Sequence, residues 1–148
     1  MNRVFLAALI AILAGCATTQ PDKPAIRLEF RHASLSPAPG LLEMTVLGTT
    51  HKVYVSGEAV LTNDDVSRVR LKKAPYAPQI VLAFTPEGSR KLAAITEDSI
   101  AKPIAILISG RLISAPIVRE RINSGQAMIT GNFTEDEARR MVDGLTAK

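Results

Sequence analysis

The sequence predicts an α+β domain over residues 26–148, a mostly antiparallel sheet with two helices packed on one side. Three observations point there. Short stretches alternate apolar and charged residues with the period of a half-buried strand. Glycine-bearing turns between them are short enough to join antiparallel neighbours. Two longer stretches open with capping residues and continue with apolar residues at helical spacing.

The elements follow in chain order. Ile26-Arg27-Leu28-Glu29-Phe30-Arg31 alternates and reads as a strand. Residues 32–40 hold two prolines and end in Gly40, so they read as a loop. Met44–Leu47 and Val53–Val55 are β-prone runs, with Gly48-Thr49-Thr50 as the hairpin loop between them. Leu61–Val66 reads as a capped helical turn. In the next strand Val69 and Leu71 alternate with Arg68, Arg70 and Lys72, which puts the basic side chains on one face. Ala74–Pro78 turns the chain, and Gln79–Phe84 is a further strand. Thr85-Pro86-Glu87 starts a helix, with threonine as cap, proline in the first turn and an acid near the positive end of the dipole. Leu92, Ile95 and Ile100 mark its inward side, and Lys102-Pro103 is its expected end.

Pro103–Ile108 is almost wholly apolar, as a strand covered on both faces would be, and is expected at the sheet centre. Ser109-Gly110 turns, and Arg111–Val118 returns, with Pro116 marking an edge, bulge or break. Asn123-Ser124-Gly125 turns again before a last strand, Ala127–Thr130. Thr134 with Glu137 three residues on forms a capping box, and Ala138, Met141, Val142 and Leu145 then share one helical face. Six or seven short strands and two helices result.

The beginning of the chain has a different character. Met1-Asn2-Arg3 carries one positive charge, Val4–Leu13 is unbroken apolar sequence, and Ala14-Gly15 places two small residues before Cys16, the only cysteine. That order is a secretory signal. The apolar run is too short to cross a bilayer as a helix, which takes about 20 residues. The ending resembles the bacterial lipobox. The resemblance implies cleavage before Cys16 and a diacylglycerol on its thiol, often with an added N-terminal acyl chain. Residues 1–15 are thus read as a lipoprotein signal peptide and 16–25, small, polar and proline-bearing, as a flexible to semi-extended tether. Two or three acyl chains hold far better than one, at about 0.8 kcal/mol per buried methylene. Ala17 rather than Asp follows the cysteine, which in lipoproteins this resembles leans towards the outer membrane of a Gram-negative envelope.

Removing the signal leaves about 133 residues, one domain. A chain of that size buries about two-thirds of its unfolded surface and folds without metal or disulfide. Tryptophan is absent and aromatics are 4% of the chain, so its core is aliphatic. The formal charge of +4 is mildly basic. Aromatic and basic residues are not interleaved, which argues against nucleic acid as a partner.

Three segments carry a family likeness: Phe84–Glu97, Ala105–Pro116 and Ile129–Ala138. In order they supply a strand ending in Phe with a Glu87-Gly88 helix start, an apolar strand with a glycine turn and the Ile113-Ser114-Ala115-Pro116 return, and the Gly131-Asn132-Phe133-Thr134 approach to the last helix. They resemble the periplasmic head domain of the SecD subunit of the preprotein translocase accessory complex. Leu28–Arg31 and Val60–Thr62 resemble earlier pieces, so the likeness spans nearly all of residues 26–145. The resemblance implies the same fold and a connection to polypeptide export. SecD itself is polytopic and proton-driven. No transmembrane segment and no membrane-embedded carboxylate follow the signal here, so the reading is a head domain on a lipid anchor.

Nothing in the sequence composes a catalytic site. His32 and His51 lie in or beside loops without ligand spacing, so neither metal nor cofactor is expected. Ser114 sits in a folding motif, not a nucleophile elbow. Asp64-Asp65 and Glu135-Asp136-Glu137 are explained by helix starts, and phosphate-cradling glycine loops are absent. Asn132-Phe133-Thr134 matches a glycosylation triplet, but a helix start accounts for it. Arg68, Arg70 and Lys72, with Lys73 beside them, form the densest basic stripe: a solvated strand face, or a contact for anionic lipid or an acidic partner. Exposed strand edges offer a second route, by addition of an extended peptide. The expected function is a non-catalytic envelope module, facing the periplasm and contacting exported polypeptide or another envelope protein. The alternative is a lipoprotein inhibitor or immunity-type protein acting on a toxin or envelope enzyme. No small-molecule substrate is indicated.

Overall fold

A computed structural model describes residues 26–146; the signal segment 1–15 and the whole tether 16–25, Cys16 included, lie outside the described residues. The strands are β1 (Leu28–Ser34), β2 (Leu41–Thr45), β3 (Lys52–Ser56), β4 (Leu61–Thr62), β5 (Val66–Lys72), β6 (Gln79–Phe84), β7 (Ile104–Ile108), β8 (Arg111–Ser114) and β9 (Gln126–Ile129). The helices are α1 (Pro86–Asp98) and α2 (Glu135–Thr146), and a 3-10 turn, Asn63–Asp65, joins β4 to β5. The α+β class and the antiparallel pairing hold. The strands fall into two sheets, however, where periodicity indicated one. The larger sheet has the order β2-β3-β1-β7-β8, with β4 also on β1, and the smaller has the order β5-β6-β9.

Alternation decides which face each strand buries. Leu28 and Phe30 of β1, Ile104, Ile106 and Ile108 of β7, and Ile80, Leu82 and Phe84 of β6 all enter one cluster, joined by Leu92 and Ile95 of α1 and Ala138 and Leu145 of α2. The two sheets and both helices therefore share one core. Phe30 and Phe84 meet edge to face at 5.8 Å between ring centroids, in the geometry aromatic quadrupoles favour.

The other face of the larger sheet is buried too. Two residues beyond β2, the Leu47 amide donates to the Leu112 carbonyl of β8 at 2.8 Å. The two ends of the strand order thus meet, and the sheet curls around a second cluster of Ala33, Val53, Val55, Ala105, Leu107 and Leu112. This is why Ile104–Ile108 is buried at every position and central, as its unbroken apolar run predicts.

Turn and cap chemistry matches expectation. Ser109 and Gly110 both take positive φ (49° and 77°), as a two-residue hairpin turn requires. The Thr85 hydroxyl accepts from the Gly88 amide at 3.0 Å. A Cβ at Gly88 would stand 2.2 Å from the Asp65 carbonyl, so only glycine lets α1 start this close to the 3-10 turn. At α2 the Thr134 amide donates to Glu137 at 2.7 Å and the Glu137 amide to the Thr134 hydroxyl at 3.2 Å, a reciprocal capping box.

Four boundaries differ most from the sequence reading. β1 runs on through His32, Ala33 and Ser34, because Ala33 and Ser34 pair with Val55 and Tyr54 of β3. Alternation at that point is carried by small residues that carry little hydropathy signal. β2 likewise begins at Leu41, opposite Ser56. α1 stops at Asp98, short of Lys102-Pro103: Ala101 adopts φ 63° and the Lys102 amide bonds the Ser99 carbonyl at 2.9 Å, turning the chain. Ile100 therefore lies outside the helix and half exposed. Finally, β8 ends at Ser114. Pro116 has no amide to donate, so the regular ladder is interrupted there, although the Ile104 amide still donates to the Pro116 carbonyl and the Val118 amide to the Lys102 carbonyl, both at 3.0 Å.

Candidate functional site

The interruption at Pro116 borders an apolar concavity. Ile117 bridges to Pro103 and Val118 to Ile100, which carries the chain across the end of α1. The Ile122 amide then donates to the buried Thr96 hydroxyl at 3.0 Å and fixes the crossing segment in place. Between this segment and β9 opens a cleft of about 350 Å³ with Phe30, Leu92, Ile104 and Ile106 among its lining residues. Ile117 and Met128, 44% and 46% exposed, also line it, as do Arg119 and Glu120. This volume lies at the low end for ligand sites, room for one or two apolar side chains. β9 is the last strand of its sheet, so an unpaired ladder edge runs beside the cleft. Sequence reasoning anticipated an edge, bulge or break at Pro116 and exposed strand edges. It did not join them into one site, because β9 and the crossing segment are brought together only by the fold.

A second surface lies on the outer face of the smaller sheet. Its β5 row is Arg68, Arg70 and Lys72, all exposed, and Val69 and Leu71 turn inward against the main core. A register shift between Val66 and Arg68, with the Ser67 hydroxyl donating to the Ala83 carbonyl at 3.0 Å, sets this facing. Arg68 stands opposite Ala83 and Arg70 opposite Val81, and together with Gln126 these residues line a depression of about 90 Å³. Among the described residues none of the three basic side chains forms an ion pair. Lys73, next along, is tied to Glu135 of α2 at 2.9 Å, and this contact holds the Glu135 carboxyl below its ordinary pKa, with Arg139 adding to the effect.

The remaining candidates have structural roles. His32 is half buried, with Nδ1 3.2 Å from the Ser99 hydroxyl, and His51 is exposed on the β2–β3 hairpin. Asp65 caps the Thr62 amide at 2.9 Å and binds Lys91 at 2.8 Å, raising the pKa of that lysine. Asn132 donates to the Gly48 carbonyl at 2.9 Å, tying the hairpin loop to the approach to α2. Glu29, buried on β1, is held between Arg27 at 3.1 Å and Arg31 at 2.9 Å. No cluster of three or more His, Cys, Asp or Glu side chains suited to a metal occurs among the described residues. No described helix is long and apolar enough to cross a membrane.

Comparison with known proteins agrees with this architecture. The protein translocase subunit SecDF of Thermus thermophilus is 39% identical over 83 residues, covering 55% of this chain and 11% of that protein. The SecD subunit of Calditerrivibrio nitroreducens is 37% identical over 92 residues, 61% of this chain and 18% of the relative. The chain thus spans less than a fifth of the length of these two relatives. A solved structure of SecDF, described as a membrane component that enhances protein export, superimposes with a TM-score of 0.65 at 26% identity, covering 82% of this chain and 62% of that one. Residues 41–147 match the family model of the SecDF P1 head subdomain, and the chain belongs to that family.

Proposed function

We propose that this chain is a non-catalytic binding module of the bacterial envelope that holds an extended apolar segment of an exported polypeptide, or of another envelope protein, along β9. The observation that carries this reading is the apolar cleft of about 350 Å³ directly beside an unpaired strand edge. Main-chain bonds to the β9 edge would supply affinity without sequence preference, and alternate side chains would enter the cleft. That combination suits a partner met unfolded. Membership of the SecDF head family, and the description of a solved relative as enhancing protein export, support a translocation-linked partner. In this reading residues 1–15 are removed, an acylated Cys16 holds the module to the membrane, and the domain faces the periplasm, with the outer membrane favoured in a Gram-negative host.

Ile117 tests the cleft. It is 44% exposed, so Ile117→Asp leaves the core intact while placing a charge at the opening. Burying one such side chain contributes about 1.5–3 kcal/mol. The variant should therefore bind a labelled, unfolded apolar peptide at least about tenfold more weakly by fluorescence anisotropy, with an unchanged Tm. Equal binding by Ile117→Asp and the parent would remove the cleft from the mechanism.

A further inference from the structure

We infer that the outer face of the β5-β6-β9 sheet docks flat on an anionic phospholipid surface. Arg68, Arg70 and Lys72 are exposed, point the same way along β5 and have no acidic partner among the described residues. Three unneutralised cations in a row of about 13 Å are complementary to a plane of phosphates. The depression that Arg68 and Arg70 line is about 90 Å³, too shallow to enclose a particular side chain of an acidic protein. A planar, chemically repetitive partner fits it better.

The end of the same hairpin adds an independent feature. Tyr76, between Pro75 and Pro78 at the β5–β6 turn, is 100% exposed. A tyrosine with no intramolecular contact is unusual where aromatics are scarce. Its apolar ring and polar hydroxyl suit the headgroup level of a bilayer, where tyrosine concentrates.

The start of the domain is placed to favour this contact. Asn63, three residues before β5, accepts from the Leu28 amide and donates to the Ile26 carbonyl, both at 2.7 Å. The tether therefore joins the domain at the Val66 end of the basic row. Ten residues, 16–25, reach at most about 35 Å. β5 is about 20 Å long. The anchor can thus lie in the bilayer while the whole face meets it. This docking rests on the lipid-anchor reading for its local concentration, but its chemistry stands on the face alone.

The protein contains no tryptophan, so Tyr76→Trp in the full chain gives a single fluorescent reporter. The protein is mixed with vesicles of phosphatidylcholine alone or with added phosphatidylglycerol. A blue shift of the indole emission only with the anionic vesicles, reversed by high salt, is the expected result. In the Cys16→Ser background, Arg68→Gln and Arg70→Gln should each weaken flotation with anionic vesicles about fivefold. These exposed substitutions should leave the circular dichroism spectrum unchanged. Identical emission with both vesicle types would overturn the docking, as would a shift produced by polyglutamate and not by vesicles, which would assign the face to an acidic polypeptide. Flotation with neutral vesicles reports the Cys16 anchor separately, so failure of one reading is distinguishable from failure of the other.

Discussion

Glu29 shows how one residue can be legible in sequence and still be misjudged for energy. Its place in the Ile26–Arg31 alternation marks it as a charged residue on the solvated side of a strand. The curl of the larger sheet buries it instead, 3% exposed, between Arg27 and Arg31. Arg31 also donates to the Ser56 carbonyl at 3.1 Å, while its Nε has no partner. Removing the carboxylate would leave the Arg31 cation partly buried without its counter-charge. Glu29→Gln should cost about 3 kcal/mol of stability in denaturant unfolding. A Glu29→Gln protein as stable as the parent would show that water or Ser56 carries the charge. Arg68 and Arg70 are the opposite case: their alternation with Val69 and Leu71 gives their facing without any knowledge of the fold.

At the scale of elements, α2 has a built-in acid sensitivity. The Glu137 carboxylate accepts from the Thr134 amide and hydroxyl, and these bonds hold its pKa below the usual glutamate value. A carboxyl depressed in the folded state stabilises the fold above its unfolded pKa of about 4.3, and that contribution is lost as pH falls through the lower folded value. Glu43, lowered by its bond and charge pairing with Lys52 on the β2–β3 hairpin, acts with the same sign. Thermal unfolding between pH 6 and 3 should therefore show a decline in Tm that is shallower in Glu137→Gln, since the neutral amide cannot titrate. Parallel pH profiles for the two proteins would refute the capping contribution. The box itself is readable from Thr134 and Glu137 alone, because capping is a contact between near neighbours. The ends of α1 and β8 are less so. Pro116 announced its break, but Asp98 ends α1 through a turn at Ala101 that no residue type nearby requires.

At the scale of the whole molecule three features stand apart, and each is proposed to meet a different partner: an apolar cleft beside the β9 edge, a basic sheet face, and Cys16 at the head of the tether. The proposed lipid anchor belongs to this scale, because an acylated Cys16 would set where the other two act. Cys16→Ser should sharply reduce recovery of the protein with membranes in cell fractionation, leaving only a salt-sensitive fraction held by the basic face, and, in mass spectrometry, remove the mass of the acyl groups. An unmodified Cys16 thiol in the mature parent would overturn the anchor.

What the sequence determined by itself is local or periodic. The strand alternations, the apolar run of β7, the Ser109-Gly110 turn, both helix caps and the basic row on β5 each depend on residues a few positions apart, and propensity, capping and turn chemistry act over that range. The segments 84–97, 105–116 and 129–138 also pointed to the right family. The tertiary structure alone decided that the strands form two sheets, that the larger one curls shut through Leu47 and Leu112, and that β9 and Pro116–Ile122 face each other across a cleft. Each of these depends on which distant segments pair, and that choice comes from burying the whole apolar surface at once, a quantity no single stretch of sequence contains.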